Sequence, residues 1–476
     1  MSRNLERYRH LLSSIELAHL ETAIQRPLLP ALRVNTLKIG VEQAQRTWPK
    51  WHSWQIQPVP FCNTGWQIVE GGDELSRTIE HRTGMYYIQD AASMLPAEMF
   101  AYEVERPLVL DMAASPGGKT THLACKTNDS GLVIANDTSS GRIGALRSNL
   151  RDWGAIGASV TQFPGERFGQ WFPEAFDAVL LDAPCSGESL RTAERRRTRP
   201  VSDTERRQLS KRQLNLLISA LQAVKPGGQV VYATCTLAPE EDEAVLDALL
   251  TRYPAQAGIE AVERILPAPA PGLVADGETT YHPEIRHAVR LWPHLYDTSG
   301  FFAALIRKRD SLPVQPGAPP RRTLEQTGFT KLTRAEHTEV AGRLRSEFGF
   351  DLNALIERQA LELWKRGKSV HAFPELFLAR FADLPCAGVG LLIGERSDDF
   401  VPSHEFAARF SAQFGARRLC LDDDRVDKWL AGYDLREPGI APYPAGTIVL
   451  VDDSRGRFLG RGKVLRDRIR NMLPKK

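Results

Sequence analysis

The chain has 476 residues, of which 42% are hydrophobic and 25% are charged, a composition typical of an ordinary soluble protein with about three domains. Its 61 basic and 58 acidic residues nearly cancel, so the net charge alone identifies no partner. The first residues lack the apolar core of a signal peptide, and no apolar run is long enough to span a bilayer. The six cysteines form no Cys-x-x-Cys pair, which argues against a disulfide framework and a zinc site. We therefore expect a cytoplasmic protein, a monomer by default, that binds no metal and no membrane.

The predicted elements, in chain order, begin with a helix, because apolar side chains recur at helical spacing over residues 1–25. A mixed segment with short strand-like pieces follows. From Pro107 apolar strands alternate with helical stretches. This alternation is typical of an α/β fold, in which a largely parallel sheet is covered by helices on both faces. The predicted strands are residues 108–112, 132–135, 178–181, 229–233 and 301–306.

Composition indicates where the other domains begin and end. Four prolines between residues 313 and 320 predict a linker, with mostly helical patterns after it and short strands with turns towards the end of the chain. The predicted segments are an N-terminal helix with a small α+β domain (1–100), the α/β domain (101–309), a proline-rich linker (310–323), a helical region (324–384) and a β-rich domain (385–476).

A glycine-rich turn follows the first strand of the α/β domain, with the sequence Asp-Met-Ala-Ala-Ser-Pro-Gly-Gly-Lys-Thr over residues 111–120. It fits a loose phosphate-loop pattern, so one hypothesis is a nucleoside triphosphatase that acts on RNA. A phosphate loop binds its anion through successive backbone N–H groups, and Pro116 has none. The first position of such a loop normally needs glycine, and here it is Ala113. Both residues argue against a triphosphatase.

An acidic residue at the end of the next strand favours a different ligand. Asp137 lies 26 residues after Asp111, where dinucleotide-type folds place a carboxylate that hydrogen-bonds ribose hydroxyls. S-adenosylmethionine has a ribose but no phosphate, so glycine would serve close approach rather than anion binding. We therefore predict that the loop binds S-adenosylmethionine and that Asp111 mainly hydrogen-bonds the loop backbone.

Two cysteines follow neighbouring predicted strands, Cys185 in Asp-Ala-Pro-Cys and Cys235 in Ala-Thr-Cys. Sheets of this kind place their sites at the carboxyl ends of the strands. The C5 carbon of cytosine is a poor nucleophile, but a thiolate added to C6 raises the electron density at C5. Asp182 is the candidate acid for ring N3, and Cys185 is close enough to help remove the C5 proton. The pattern predicts methyl transfer to a pyrimidine through sulfur.

These motifs resemble the Sun-type RNA (cytosine-C5) methyltransferases. The similarity covers nearly the whole chain, and its motifs must agree in order as well as in residue type. The segments that carry it are residues 33–36, 113–119, 182–187, 232–236 and 297–302.

The resemblance implies a Rossmann-like catalytic domain with S-adenosylmethionine as its cofactor. It implies that Cys235 is the nucleophile and that Cys185 helps break the adduct. It also places Lys119, Asp137 and Asp182 at the donor and base pocket. The implied donor-binding residues are Ala113, Ala114, Ser115, Pro116, Gly117, Gly118, Lys119, Asp137 and Asp182.

The last segment, residues 385–476, is similar to the PUA-like RNA-binding module of bacterial members that act on small-subunit (16S) ribosomal RNA near the decoding site. The resemblance implies ribosomal RNA as the partner, either free or in the assembled small subunit. Basic clusters at residues 191–212 and 455–476 fit phosphate binding. A non-catalytic ribosome-assembly factor is the remaining alternative, although such a factor has no need for paired thiols at strand ends.

Two positions depart from the family pattern. Ser115 replaces the usual alanine of the donor loop, which is a small change. Pro164 lies where the family has an acid near the adenine, so the sequence predicts no donor contact there.

Overall fold

The computed structural model describes residues 5, 8–191, 201–262, 265–268, 270–397, 399–436 and 442–474. Over those residues, no helix combines the length and the apolar character needed to cross a membrane.

The N-terminal region is a four-stranded antiparallel sheet with helices around it, in the strand order β2-β3-β1-β4. The helix Ser14–Gln25 begins after a capping box formed by Ser13 and Glu16, and residues 8–12 before it form turns and a bend instead of the predicted helix. The elements are α1 (Ser14–Gln25), β1 (Ala31–Val34), α2 (Val41–His52), β2 (Gln55–Val59), β3 (Cys62–Glu70), α3 (Ile79–Arg82), β4 (Tyr86–Ile88) and α4 (Leu95–Glu98).

Strand β1 attaches this region to the catalytic domain through the signature at residues 33–36. The buried Arg33 guanidinium donates hydrogen bonds to Thr121 Oγ1 at 2.7 Å and to the Gly118 carbonyl at 3.0 Å. Asn35 Nδ2 donates to the Trp153 carbonyl at 3.0 Å. Because Gly118 and Thr121 lie in the first turns of the helix after the glycine-rich loop, the signature fixes the N-terminal region beside that loop.

The catalytic domain begins at β5 and alternates strands with helices, as predicted. Its first half contains β5 (Leu108–Asp111), α5 (Gly118–Lys126), β6 (Leu132–Asn136), α6 (Ser140–Trp153), β7 (Ala158–Thr161), α7 (Phe168–Trp171) and β8 (Phe176–Asp182). Its second half contains α8 (Asp203–Ala223), β9 (Val224–Thr234), α9 (Glu243–Arg252), β10 (Ala257–Glu260), β11 (Ala275–Asp276), β12 (Thr279–Thr280), β13 (Val289–Leu291), α10 (Pro293–Tyr296) and β14 (Phe301–Lys308).

The central sheet has the strand order β10-β14-β9-β8-β5-β6-β7. Strands β5 to β9 are parallel, and β14 pairs antiparallel with β9. The chain moves outwards from β5 to β7 and then returns to the other side at β8. Neighbouring parallel strands that leave in opposite directions open a crevice at their carboxyl ends. The predicted Rossmann-like α/β fold is confirmed, and its crevice lies beyond Asp111 and Asp182.

The C-terminal region contains two further sheets. A five-stranded sheet has the order β15-β16-β17-β19-β20, and a four-stranded sheet has the order β21-β22-β23-β24. The helices are α11 (Arg334–Phe348), α12 (Leu352–Gln359), α13 (Glu375–Phe381), α14 (His404–Arg409) and α15 (Asp423–Leu430). The strands are β15 (Thr330–Lys331), β16 (Leu361–Arg366), β17 (Ser369–Pro374), β18 (Gly388–Val389), β19 (Leu391–Arg396), β20 (Phe400–Pro402), β21 (Arg418–Leu421), β22 (Ile448–Asp453), β23 (Phe458–Val464) and β24 (Ile469–Asn471).

This arrangement differs from the segments predicted after the linker. Residues 324–384 contain the strands β15, β16 and β17 in addition to the helices α11, α12 and α13. The predicted boundary at 384/385 also cuts one sheet, since β17 pairs with β19. The short strand β18 instead pairs with β7 and extends the catalytic sheet by one strand. The C-terminal region therefore does not fold as separate helical and β-rich units.

A buried ion pair holds the sheet edge next to β14. Arg290 on β13 donates to both carboxylate oxygens of Glu243, at 2.7 and 2.8 Å, and its Nη1 lies 3.7 Å from Asp242. All three side chains are fully buried. Burial opposes the charge on Arg290, but Glu243 and Asp242 raise its pKa above the ordinary value.

We expect Arg290→Met to lower the free energy of unfolding by about 3–5 kcal/mol, because removing one partner leaves buried carboxylates uncompensated. Urea unfolding of the full chain, followed by tryptophan fluorescence, measures this change. Arg307→Met is the matched control, since Arg307 pairs with Glu260 at the surface and such pairs contribute about 0–1 kcal/mol. Equal losses in the two variants would contradict the importance of the buried pair.

Candidate active site

The glycine-rich loop connects β5 to α5 and lies against the end of β6. The Ala114 N–H donates to the Asn136 carbonyl at 2.7 Å, and Asn149 Nδ2 donates to the Pro116 carbonyl at 2.7 Å. The Ser115–Pro116 peptide is cis. Gly117 has φ +113°, and a Cβ there would lie 3.1 Å from Leu146 Cδ1. Any other residue would be strained by the positive φ, and its Cβ would crowd the Leu146 side chain, so the position favours glycine.

Asp137 organises the loop from the end of β6. Its Oδ2 accepts from the Ser115 N–H at 3.2 Å, and its Oδ1 accepts from the Ser139 N–H at 2.9 Å. Arg142 Nη1 lies 3.7 Å from the same carboxylate. Each carboxylate oxygen can accept a second hydrogen bond. Asp137 can therefore hold the loop and still accept from a hydroxyl of a bound nucleoside.

Asp111 lies beneath the loop and is fully buried. Its Oδ2 accepts from the Thr120 hydroxyl at 2.6 Å, whereas the sequence predicted bonds to the loop backbone. Within the described part of the chain its Oδ1 has no partner. Burial raises the pKa of Asp111 to about 7, and the nearby Asp182 and Asp137 carboxylates act in the same direction. An unpaired buried oxygen favours a donor or a cation, and the α-ammonium and sulfonium of S-adenosylmethionine are such groups.

Lys119 and Asp182 form an ion pair across the crevice, with Nζ 2.8 Å from Oδ2. Asp182 is the last residue of β8, and Lys119 comes from the first turn of α5. The ammonium also lies 5.5 Å from the centre of the Phe301 ring. Burial alone would lower the pKa of Lys119, but Asp182 raises it above its ordinary value. Lys119 thus holds one oxygen of Asp182, and 31% of the Asp182 side chain stays accessible.

The two predicted cysteines meet next to this pair, with their sulfur atoms 3.2 Å apart. Strands β8 and β9 pair in parallel with Asp182 opposite Ala233, and the Ala183 N–H donates to the Ala233 carbonyl at 2.8 Å. Their mutual hydrogen bond raises the pKa of Cys185, and burial adds to that rise. The same bond lowers the pKa of Cys235, and Lys119 acts in the same direction. Either sulfur could donate in this contact, and the opposite pKa shifts favour donation from the Cys185 thiol to the Cys235 sulfur.

Comparisons with known proteins agree with this geometry. Residues 100–307 match the family model of 16S rRNA methyltransferase RsmB/F, and residues 3–91 match that of the N-terminal domain of 16S rRNA methyltransferase RsmF. The chain is 34% identical over 458 residues to the ribosomal RNA small subunit methyltransferase F of Serratia proteamaculans, with 95% of this chain and 91% of the relative covered. The chain belongs to the RsmB/F family of 16S rRNA methyltransferases.

Other relatives support membership of the RsmB/F family. The ribosomal RNA small subunit methyltransferase F of Vibrio cholerae is 33% identical over 467 residues, with 97% of this chain and 93% of the relative covered. A crystal structure of a methyltransferase homolog protein from Pyrococcus horikoshii is 31% identical, with a TM-score of 0.55, and the match covers 65% of this chain and all of that one. The predicted resemblance to the Sun-type enzymes is confirmed.

The lowered pKa of Cys235 has a measurable consequence. We expect iodoacetamide to modify Cys235 at neutral pH faster than Cys420, whose pKa is raised by burial and neighbouring acids. Reactivity at Cys235 should fall as the pH drops through its pKa, because only the thiolate reacts. In Cys185→Ala, which removes the hydrogen-bond donor, the profile should move to higher pH. Peptide mass spectrometry measures both rates, and an unchanged profile in the variant would contradict the thiolate assignment.

The prediction for the first basic cluster is wrong at Arg191. This side chain is buried, and its guanidinium donates to Asp297 at 2.6 Å and to main-chain carbonyls beyond the end of α1. Arg206 also has a partner within the protein, because its guanidinium forms an ion pair with Glu188 at 2.9 Å. Arg191 therefore joins three segments of this RsmB/F member and does not face RNA. The arginines at 195–199 lie outside the described residues.

Position 164 offers no contact of the kind found in the family pattern. Pro164 has no N–H, and its carbonyl accepts from the Arg167 N–H at 3.1 Å. The neighbouring Phe163 is held through its main chain by the Asn136 side chain, at 2.9 Å to both the N–H and the carbonyl.

Two residues that contact the Cys185 loop were missed in the sequence. Gln213 lies on α8, and Glu241 lies in the connection between β9 and α9. Helix α9 begins at Glu243, and Glu241, in the connection before it, is fully buried. The sequence sign of Glu241 was the run of acidic residues at 240–243, which begins five residues after Cys235.

Proposed function

We propose that this protein transfers a methyl group from S-adenosylmethionine to C5 of a cytosine in small-subunit ribosomal RNA, in the cytoplasm, through a covalent bond between Cys235 and C6. The observation that carries the proposal is the contact of two sulfur atoms beside an ion-paired carboxylate at the mouth of the sheet crevice. Three groups that can attack, protonate and deprotonate a pyrimidine meet there, next to the glycine-rich loop.

The donor would be held by the loop at residues 113–119, by Asp137 at its ribose and by the Asp111 and Asp182 carboxylates near its cationic end. These residues fit the donor, because Asp137 retains acceptor capacity and Asp111 Oδ1 is unpaired within the described chain. The bound donor supplies a methyl group on a sulfonium, next to which C5 must be placed.

Cys235 begins the reaction at C6, and the lowering of its pKa favours the thiolate form that reacts. Asp182 supports the addition by giving a proton to ring N3, which offsets the negative charge that develops in the ring. For this role its free oxygen must share a proton with the base while the other oxygen stays on Lys119. The base itself must leave any stacked helix to reach both groups.

Cys185 acts after methyl transfer. C5 then carries both a hydrogen and the new methyl group, and a base must take the proton so that the C6–sulfur bond breaks. The Cys185 sulfur is the group next to Cys235 in the site, and Asp182 interacts with it electrostatically. After Asp182 has passed its proton to N3, its carboxylate takes the Cys185 thiol proton, the resulting thiolate accepts the C5 proton, and the N3 proton is lost to water. Loss of the C5 proton restores the aromatic ring and returns Cys235 as a thiolate.

The RNA partner is proposed to contact the N-terminal region and a PUA-like unit at the end of the chain. The four-stranded sheet formed by β21 to β24 carries exposed arginines such as Arg466 and Arg470 next to its last strand. Basic side chains on such a surface neutralise phosphates. The assembled small subunit is the proposed form of the substrate.

A methyl-transfer assay tests the function. Purified protein, methyl-labelled donor and small subunits from cells lacking this gene should give labelled 5-methylcytosine at a discrete position. Loss of that 5-methylcytosine from ribosomal RNA in the gene deletion is the matching result in cells. Magnesium-dependent ATP hydrolysis lost in Lys119→Ala, without methyl transfer, would instead support the triphosphatase. Donor binding without transfer would support the assembly factor.

A further inference from the structure

The loop that carries Cys185 is held on both sides by two buried side chains. Gln213 Nε2 donates to the Pro184 carbonyl at 2.9 Å, and the Ser186 N–H donates to Glu241 Oε2 at 2.9 Å. Gln213 Nε2 lies 3.0 Å from the same Glu241 oxygen, so the two side chains are bonded to each other. Both are fully buried. Together they fix the residue before Cys185 and the residue after it.

The same pair ties the two cysteine-bearing connections together. Glu241 follows Cys235 in the connection after β9, and its main-chain carbonyl accepts from the Tyr232 hydroxyl at 2.5 Å. The Ser186 hydroxyl also lies 3.2 Å from Thr236 Oγ1, next to Cys235. Hydrogen bonds that Gln213 donates and Glu241 accepts therefore hold the loop of Cys185 against the connection that carries Cys235.

Stability alone does not account for a carboxylate at this place. Glu241 Oε2 accepts two hydrogen bonds, but its Oε1 has no partner within the described residues, and neither does Gln213 Oε1. A buried polar group that is only partly satisfied costs free energy that an apolar side chain of similar size would avoid. What the carboxylate oxygen adds is a hydrogen bond of fixed direction from the Ser186 N–H.

We propose that Glu241 and Gln213 are positioning residues for adduct release, which act by holding Cys185 against the Cys235 sulfur. The inference rests on the proposed function, since it assigns these residues to its last step. Among the described residues, neither side chain forms a hydrogen bond with Cys235, Asp182 or Lys119. Misplacement of a reacting group by about 1 Å can cost about 100-fold in rate. We therefore expect variants of these residues to release the adduct much more slowly while their affinity for the donor stays nearly unchanged.

The test compares Gln213→Leu and Glu241→Leu with wild type and Cys185→Ala in the full-length protein, using small subunits from cells lacking this gene and S-adenosylmethionine. We expect at least a tenfold rise in the fraction of protein that runs as an RNA adduct on denaturing gels, with donor affinity within twofold of wild type. Gln222→Leu is the matched control, because Gln222 is on the same helix and donates to another proline carbonyl, that of Pro313 at 3.0 Å.

Glu241→Gln should trap less adduct than Glu241→Leu, because its amide oxygen can still accept from Ser186. If Cys185→Ala traps adduct but neither leucine variant does, the inference is overturned and the proposed function stands. If Cys185→Ala forms no adduct and transfers no methyl group, the proposed function itself is contradicted; if it turns over without an adduct, the release role of Cys185 and the positioning role built on it are overturned while the function stands. A fall in donor affinity and adduct formation together, or equal trapping by the two Glu241 variants, would also overturn the positioning role.

Discussion

Cys235→Ala is expected to reduce methyl transfer by about 10⁴-fold or more, the scale seen when a nucleophile is removed from an enzyme that forms a covalent intermediate. The reason is that no other group in the described site can add to C6 from the same position, since the Cys185 sulfur is 3.2 Å away and has a raised pKa. Transfer of labelled methyl groups to small subunits, measured in single-turnover conditions, gives the loss directly.

Donor binding separates this result from a folding defect. The donor-holding residues lie on the loop and at the ends of β5, β6 and β8, so Cys235→Ala should bind S-adenosylmethionine with an affinity within about twofold of wild type. Cys420→Ala is the matched control, because Cys420 is exposed on β21 and outside the crevice. Full turnover by Cys235→Ala would remove the nucleophile from the proposed mechanism.

Cys185→Ala is expected to trap most of the enzyme as a covalent protein–RNA adduct, visible as a slower band on denaturing gels. Addition by Cys235 and methyl transfer can still occur, but the C5 proton has no adjacent base and the C6–sulfur bond persists. The band should require Cys235, so the double variant with Cys235→Ala should lack it. A Cys185→Ala enzyme that turns over without any stable band would show that another group breaks the adduct.

The meeting of the candidate site residues could be predicted from the sequence because they lie at the ends of predicted strands or just beyond them. Asp182, Cys185 and Cys235 directly follow or end apolar runs, and parallel pairing brings such ends to one edge. Asp137 was found in the same way. In each of these cases local sequence and topology agree, so little depends on distant contacts.

The mistaken predictions depend on contacts distant in sequence. Arg191 belongs to a basic run, but its partner Asp297 is more than a hundred residues away along the chain. Strands β16 and β17 lie among helical patterns, and their pairing with β19 is visible only in three dimensions. Glu241 lies in an acidic run of the kind often found in the first turn of a helix. Only the structure shows that α9 begins after it and that its side chain is buried.

The pairing of β18 with β7 bears on how the protein could be divided. The Ala387 N–H donates to the Val160 carbonyl at 2.7 Å, and the Gly390 N–H donates to the Ala158 carbonyl at 3.0 Å. A fragment that stops at residue 384 would leave the outer side of β7 without these partners, and a bare edge of this kind recruits strands from other molecules. We therefore expect a protein truncated after residue 384 to aggregate through the exposed edge of β7. Such aggregation would not show that the removed residues bind RNA.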